Sequence, residues 1–284
     1  MELGFFEGNI SNVGDDLNPF LWSGLLPGLG GGDCSTVFIG IGSILDRRYD
    51  HYDNKVVFGS GARGTETLPD IDDSWNIRFV RGPLTCNALK EKGINVKYIT
   101  DPAMLVSKFF TKPQVSTGQI GLIPYFRTDH KPWAEIAKSL GYKLISPTLS
   151  VEDFVNELSQ CSLVVTEAMH GAIIADALRV PWIPYSSFTI AHEQDTHLFK
   201  WTDWCSSVGL EFEDFVLPRF WPSTQLSFIG KLKNYIKKRY IAKKISLRVN
   251  NGVSYLSNDK IFAEKIRLLE EEVETMKKYL DYPE

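Results

Sequence analysis

Leu163-Val-Val-Thr-Glu-Ala-Met-His-Gly-Ala-Ile-Ile-Ala-Asp-Ala-Leu178 is the stretch on which the fold turns. Its opening apolar run is short and lacks polar alternation, so residues 163–165 read as a strand buried on both faces. A tight turn holding Glu167 and His170 follows, and residues 171–178 read as a helix. Buried strand, turn and helix in immediate succession are the repeating piece of a parallel sheet covered by helices.

The same piece recurs outward from there. Residues 119–124 and 143–145 read as strands, 133–140 and 151–158 as helices, and 182–183 as a last strand. An earlier series has strands at 3–6, 37–41, 56–58, 77–80 and 96–99. Its helices fall at 17–26 and at 83–92, the latter opened by Pro83 and closed by Gly93. Residues 107–118 (Ser-Lys-Phe-Phe-Thr-Lys-Pro-Gln-Val-Ser-Thr-Gly) break the alternation and read as a linker. The expected architecture is therefore α/β. It has two Rossmann-like lobes, 1–106 and 119–220, facing a cleft, followed by a basic and helical tail at 221–284. Ligands of such sheets sit beyond the carboxyl ends of the strands.

Composition excludes several classes. The 284 residues are 43% hydrophobic and 23% charged, as in a globular chain, so wholesale disorder is ruled out. A net charge of −4 argues against a nucleic-acid partner that covers the whole surface. No apolar run is long enough for a membrane span, and the opening Met-Glu-Leu-Gly-Phe-Phe-Glu lacks a basic region before an apolar core. A soluble protein of a reducing compartment is expected. Cys34, Cys86, Cys161 and Cys205 are too scattered for a zinc knuckle or a disulfide framework, and no metal-ligand cluster is expected.

The tail offers two surfaces. From Lys231 to Arg248 there are eight Lys/Arg and no acid, interleaved with Leu232, Tyr235, Ile236, Tyr240, Ile241 and Ile245. Such a stretch is either the solvated face of a helix packed on the core or a basic amphipathic surface for anionic headgroups or an anionic polymer. Phe262, Ile266, Leu269, Val273, Met276 and Leu280 form a helical stripe under three heptads long. That stripe fits a terminal helix folded back on its own chain, with self-association into a homo-oligomer as the alternative.

Within the lobes, His170 stands at the start of a helix whose unpaired N–H groups and dipole favour an anion and disfavour an imidazolium. Glu167 lies three residues before it. Arg81 precedes the Pro83 helix, where a guanidinium would grip phosphate or carboxylate with two bonds. Arg63, on the glycine turn Gly59-Ser-Gly-Ala-Arg-Gly64, is a second cation of this kind. Asn12, Asp15 and Asp16 lie in a turn after the first strand. There Gly14 permits close approach of a ligand, and the acids would bind sugar hydroxyls or act as base, unless they are ordinary helix caps. The glycines from Gly28 to Gly32 lack the spacing of a dinucleotide fingerprint. An anionic, phosphorylated small molecule suits such a cleft.

Asn12-Val-Gly-Asp-Asp-Leu17, Gly40-Ile-Gly-Ser-Ile-Leu45, Val80-Arg-Gly-Pro-Leu-Thr85, Thr100-Asp-Pro-Ala-Met-Leu105 and Glu167-Ala-Met-His-Gly-Ala-Ile-Ile-Ala-Asp-Ala-Leu178 occur in this order. In that combination the chain resembles the polysaccharide pyruvyl transferase family over residues 5 to 186, most closely its succinoglycan-type branch. The resemblance implies a GT-B-like pair of lobes. It also implies transfer of the enolpyruvyl carbons of phosphoenolpyruvate to a sugar, as a cyclic ketal, with release of phosphate. The acceptor it implies is a sugar or lipid-linked oligosaccharide on the cytoplasmic side, which places the expected location in the cytoplasm, peripheral at the inner face of the cell membrane if the tail binds it. Phosphoenolpyruvate is a substrate, so no cofactor is needed.

Carried over by motif, His170 matches the family's histidine at the donor site, flanked by Met169 and Gly171, and Arg81 matches the arginine before the first-lobe helix. Many members carry an arginine two residues before the histidine, whereas this chain has Ala168. Arg63, Arg81 and Arg127 are the candidates to supply that charge. His170 is then the proton donor to the methylene carbon or the partner of the phosphate, work worth about 10²–10⁴ in rate. Glu167 either orients His170 or deprotonates the acceptor. Two other readings fit the same lobes, a nucleotide-sugar glycosyltransferase and a non-catalytic glycan-binding subunit.

Overall fold

The computed structural model describes all residues except 7, 32–33, 112, 114–117, 129, 188–190, 221–227 and 282–284. Its frame is two four-stranded parallel sheets. The first runs β1 (Glu2–Gly4), β2 (Thr36–Ile39), β3 (Asn54–Phe58) and β4 (Trp75–Phe79) in that spatial order. The second contains β5 (Ile120–Ile123), β6 (Lys143–Leu144), β7 (Leu163–Thr166) and β8 (Trp182–Pro184), in the order β6-β5-β7-β8. Strands β2, β3, β5, β7 and β8 bury most of their side chains, because helices cover both faces and leave no solvent side to alternate with, while the edge strands β1, β4 and β6 stay partly open.

Helices α1 (Val13–Leu25) and α2 (Pro83–Glu91) serve the first sheet. The second has α3 (His130–Leu140), α4 (Val151–Ser159) and α5 (Met169–Ala177). Then α6 (Ala191–Ser207) crosses back onto α2, while α7 (Phe228–Asn250) packs on α3. Helix α8 (Asp259–Asp281) returns to the first sheet, where its Glu272 pairs with Arg78 and Lys97. Leu269, Val273 and Met276 are buried there, so the terminal stripe is an internal packing surface.

Three expectations need correction. Helix α1 starts at Val13, because Asn12 caps it, so Asp15 and Asp16 lie in a helical turn and not in a loop. Residues 96–99 form no strand; only Val80 and Tyr98 bridge, since the chain turns at once into a 3₁₀ segment, Pro102–Lys108, capped by Asp101. That segment takes the first two residues of the expected linker, of which 112 and 114–117 lie outside the described residues, as does Gly32 of the glycine run.

One apolar cluster runs through both layers, from Phe38, Phe58 and Phe79 to Ile123 and Val164, by way of Leu17, Met104 and Ile173. Helix α1, the 3₁₀ segment and α5 thus form a packed seam between the sheets. The Val13 amide donates across it to the Pro147 carbonyl at 2.9 Å.

Candidate active site

The second sheet reverses its order of growth between β5 and β7, and the crevice of a parallel sheet opens at the carboxyl ends of such a strand pair. Glu167 follows β7 at that point. Its amide donates to the Ile123 carbonyl. Its carboxylate accepts from the Tyr125 amide at 3.0 Å, the Ser187 amide at 2.9 Å and the Ser187 hydroxyl at 2.6 Å. Glu167 therefore ties the ends of β5, β7 and β8 together. Burial pushes its carboxyl up to about 7 against these hydrogen bonds.

His170 is the second residue of α5, not part of the turn before it. Ala168 caps that helix without a side-chain bond, Met169 is buried, and Gly171 packs so tightly on Thr166 that a Cβ would lie 2.5 Å from Oγ1. The imidazole crosses the seam to α1. A Cβ at Gly14 would lie 2.0 Å from His170 Nδ1, so only glycine lets the ring and the helix meet.

On its other side, His170 Nε2 lies 4.0 Å from Asp101 Oδ2. Both atoms are shut off from solvent and have no hydrogen-bond partner, an unusual condition for two buried polar groups. Burial is the main cause that holds the imidazole down to about 4, helped by Lys200 and Arg81 and opposed by Asp15. The Asp101 carboxyl is pushed up to about 6 by burial, opposed by Arg81 and the Ala103 amide. At neutral pH the pair is an uncharged imidazole facing a mostly ionised carboxylate. The carboxylates within reach of His170 are thus Asp101 and Asp15, while the bonds of Glu167 go to Tyr125 and Ser187.

Asn12 caps α1 and donates to Asp15 Oδ2 at 2.7 Å. Burial raises the Asp15 carboxyl, with Asn12, His170 and Lys200 acting against it. Asp16 instead accepts from the Ser11 hydroxyl, away from this group.

Arg81 does not offer its guanidinium to a ligand. Its side chain is entirely buried; Nε and Nη2 meet Asp203 Oδ2, Nη1 donates to Ser43 Oγ, and Nη2 also donates to the Ala62 carbonyl. Nor is the α2 N-terminus free, because Asp203 Oδ1 accepts from the amides of Leu84 and Thr85. The anion that these groups attract is a carboxylate of the chain itself, delivered by α6.

Three cations lie nearer the surface. Arg63 is exposed, with Nε on the Ser43 carbonyl. Lys200 of α6 is half-buried, and its ammonium is pushed down to about 8, first by burial and then by Arg81 and Arg63. Arg127 is also exposed and lies 6.0 Å from the Phe6 ring, so it bridges the segments after β5 and β1. Sequence reasoning missed Asp203 and Lys200, which sit in a helix without a motif. It passed over Asp101 although Asp-Pro marks a cap. Among the described residues no group of three His, Cys, Asp or Glu converges as a metal site.

His170 is thus held neutral by burial inside parallel α/β layers, with Asp101 and Asp15 the carboxylates about it and Lys200 and Arg81 the cations that act on it. Comparison with known proteins gives the family. A family model of polysaccharide pyruvyl transferases matches residues 29–187, from before β2 to just after β8. The succinoglycan biosynthesis protein ExoV of Rhizobium meliloti (strain 1021) is 35% identical over 226 residues, covering 75% of this chain and 67% of that protein. The chain belongs to the polysaccharide pyruvyl transferase family, and is a transferase by that membership.

Proposed function

We propose that the protein moves the enolpyruvyl group of phosphoenolpyruvate onto two hydroxyls of one sugar in an exopolysaccharide repeat unit, carried on a lipid. In balance, CH₂=C(OPO₃)COO and two sugar hydroxyls give a CH₃–C(OR)₂–COO ketal and inorganic phosphate. One hydroxyl proton ends on the new methyl group and the other on phosphate. The observation that carries this reading is the His170–Asp101 pair, buried and unpartnered at the junction of the two layers.

Burial keeps His170 neutral. The negative charge of an arriving donor raises its affinity for a proton, so it becomes an acid when there is a methylene carbon to protonate. Asp101 orients the imidazole and stabilises the charge it gains. Lys200 and Arg63 take the phosphate and carboxylate, in place of the arginine that Ala168 lacks, and Arg127 closes the mouth of a cleft between two GT-B-like lobes. Arg81 acts from behind by fixing Asp203 and α6. Asp15 and Asn12 face the acceptor.

Phosphate release from phosphoenolpyruvate, measured with a panel of galactosides and glucosides, tests the reading. Release is expected to need an acceptor, and to fall at least a hundredfold in His170→Ala and in Lys200→Ala. Calorimetry that finds no binding of phosphoenolpyruvate to the parent protein overturns it.

A further inference from the structure

Helix α7 has two apolar faces. Ile241 and Ile245 point inward onto the second sheet and are fully buried. Leu232, Ile236, Tyr240 and Leu247 lie on the roughly opposite side and are 47% to 59% exposed. Arg239 and Lys243 flank this outer stripe on one side, Lys233 and Lys244 on the other, and α7 contains no acidic residue. Lys238 and Arg248, closer to the core, are already paired with Glu135 and Glu213. Among the described residues Lys233, Arg239, Lys243 and Lys244 have no carboxylate partner. Arg239 reaches the Tyr235 hydroxyl, and Lys244 lies 5.6 Å from the Tyr240 ring. Beside the stripe, a groove of about 460 Å³ between α3 and α7 places Arg239 and Lys243 next to Leu140 and Ala242.

Charge and apolar pattern together select the occupant. A second copy docked through the same face would set these cations against their own images. A soluble polyanion would satisfy the lysines and leave Leu232, Ile236 and Leu247 in water. A bilayer with anionic headgroups satisfies both. We propose that α7 lies flat on an anionic lipid surface. Its stripe, about 22 Å long at 1.5 Å per residue, rests at the headgroup–acyl boundary, and the four cations without a carboxylate partner contact the headgroups. No helix among the described residues is long and apolar enough to cross a membrane, so this contact is peripheral. It goes beyond the proposed reaction and does not depend on it.

Vesicle co-sedimentation of the full chain tests this without reading activity. Binding to vesicles of phosphatidylcholine with 30% phosphatidylglycerol is expected to exceed binding to pure phosphatidylcholine at least tenfold. It should also fall sharply between 0.1 and 1 M salt, as the screening length shrinks from about 10 to 3 Å. Two variants confined to the outer face are expected to lose at least tenfold: Lys233→Glu with Lys244→Glu, and Ile236→Ser with Leu247→Ser. The circular dichroism and thermal midpoint of both should match the parent. Equal binding to both lipids, binding that both variants retain, or binding to heparin that the serine variant leaves intact and that exceeds vesicle binding would each overturn the proposal. So would a stable dimer of the parent that the serine variant dissolves.

Discussion

Replacing Gly14 with alanine adds one methyl group at the contact that joins the two layers at His170. The new Cβ would stand 2.0 Å from Nδ1, 2.6 Å from Cγ and 2.8 Å from Cε1, where real contacts stay above 3.0 Å. The ring must therefore move by at least ~1 Å or swing away, and a misplacement of that size can cost about 10²-fold in rate. Overpacking costs about 1–3 kcal/mol, yet alanine is a better helix former than glycine by up to about 1 kcal/mol, so the net loss of stability is about 0–2 kcal/mol. Activity should fall far more than stability. Initial rates of acceptor-dependent phosphate release and urea unfolding measure the two effects, with Gly31→Ala, whose Cβ meets nothing within 4 Å, as control. The imidazole should also titrate higher in the variant, from about 4 toward 6.5 by NMR, as burial is relieved. A folded Gly14→Ala protein with activity within threefold of the parent would refute the placement of His170 against α1.

Other predictions follow from the same geometry. Asp203→Ala leaves the Arg81 guanidinium buried without its carboxylate and uncaps α2, so denaturant unfolding should report a loss of about 3–5 kcal/mol. Lys200 loses its charge as pH rises through about 8, so kcat/KM for phosphoenolpyruvate should decline above that pH; Lys200→Arg, charged throughout, should lack the decline, and a parent profile flat to pH 9.5 argues against the role. Because the unfolded imidazole takes a proton near 6.5 and the folded one only near 4, the parent loses stability as pH falls across that window. His170→Ala should lose up to about 3 kcal/mol less over the same range in urea titrations. Glu167→Gln deprives the Tyr125 amide or a Ser187 donor of its acceptor and should cost about 1–3 kcal/mol in stability; a large fall in kcat with unchanged stability would instead assign Glu167 to the chemistry.

Local pattern made much of the fold legible. The buried strands announce themselves as apolar runs, and Pro83, Gly93 and Gly141 mark helix ends within a residue or two of where they fall. Asn12 was readable as a cap, but capping and ligand binding call for the same residue types, so sequence left Asp15 and Asp16 in a turn. The site was half legible. His170 carries a local signal, a short residue pattern between a strand and a helix. Its partners do not: Asp101, Gly14 and Lys200 come from segments far apart in the chain, and only the packing of the seam brings them together. Arg81 misleads for the same reason. A guanidinium before a helix N-terminus does bind an anion, but the anion is Asp203, more than a hundred residues away on a helix that crosses back. Helix α6 packs back on α2, and Glu272 of α8 pairs with Arg78 and Lys97, contacts between distant segments that no local pattern announces.

In the proposed reaction a proton reaches the methylene carbon of phosphoenolpyruvate while sugar oxygens replace phosphate at its neighbour, with His170 in charge of the proton. Phosphoenolpyruvate labelled with ¹³C at the methylene carbon, turned over with an active acceptor in D₂O and followed by NMR, tests it directly. The expected product is a monodeuterated methyl carbon attached to a ketal carbon, formed in step with phosphate and at least a hundredfold slower in His170→Ala. A label that remains a methylene group in the sugar product, or a ketal formed at parental rate by His170→Ala, would contradict it.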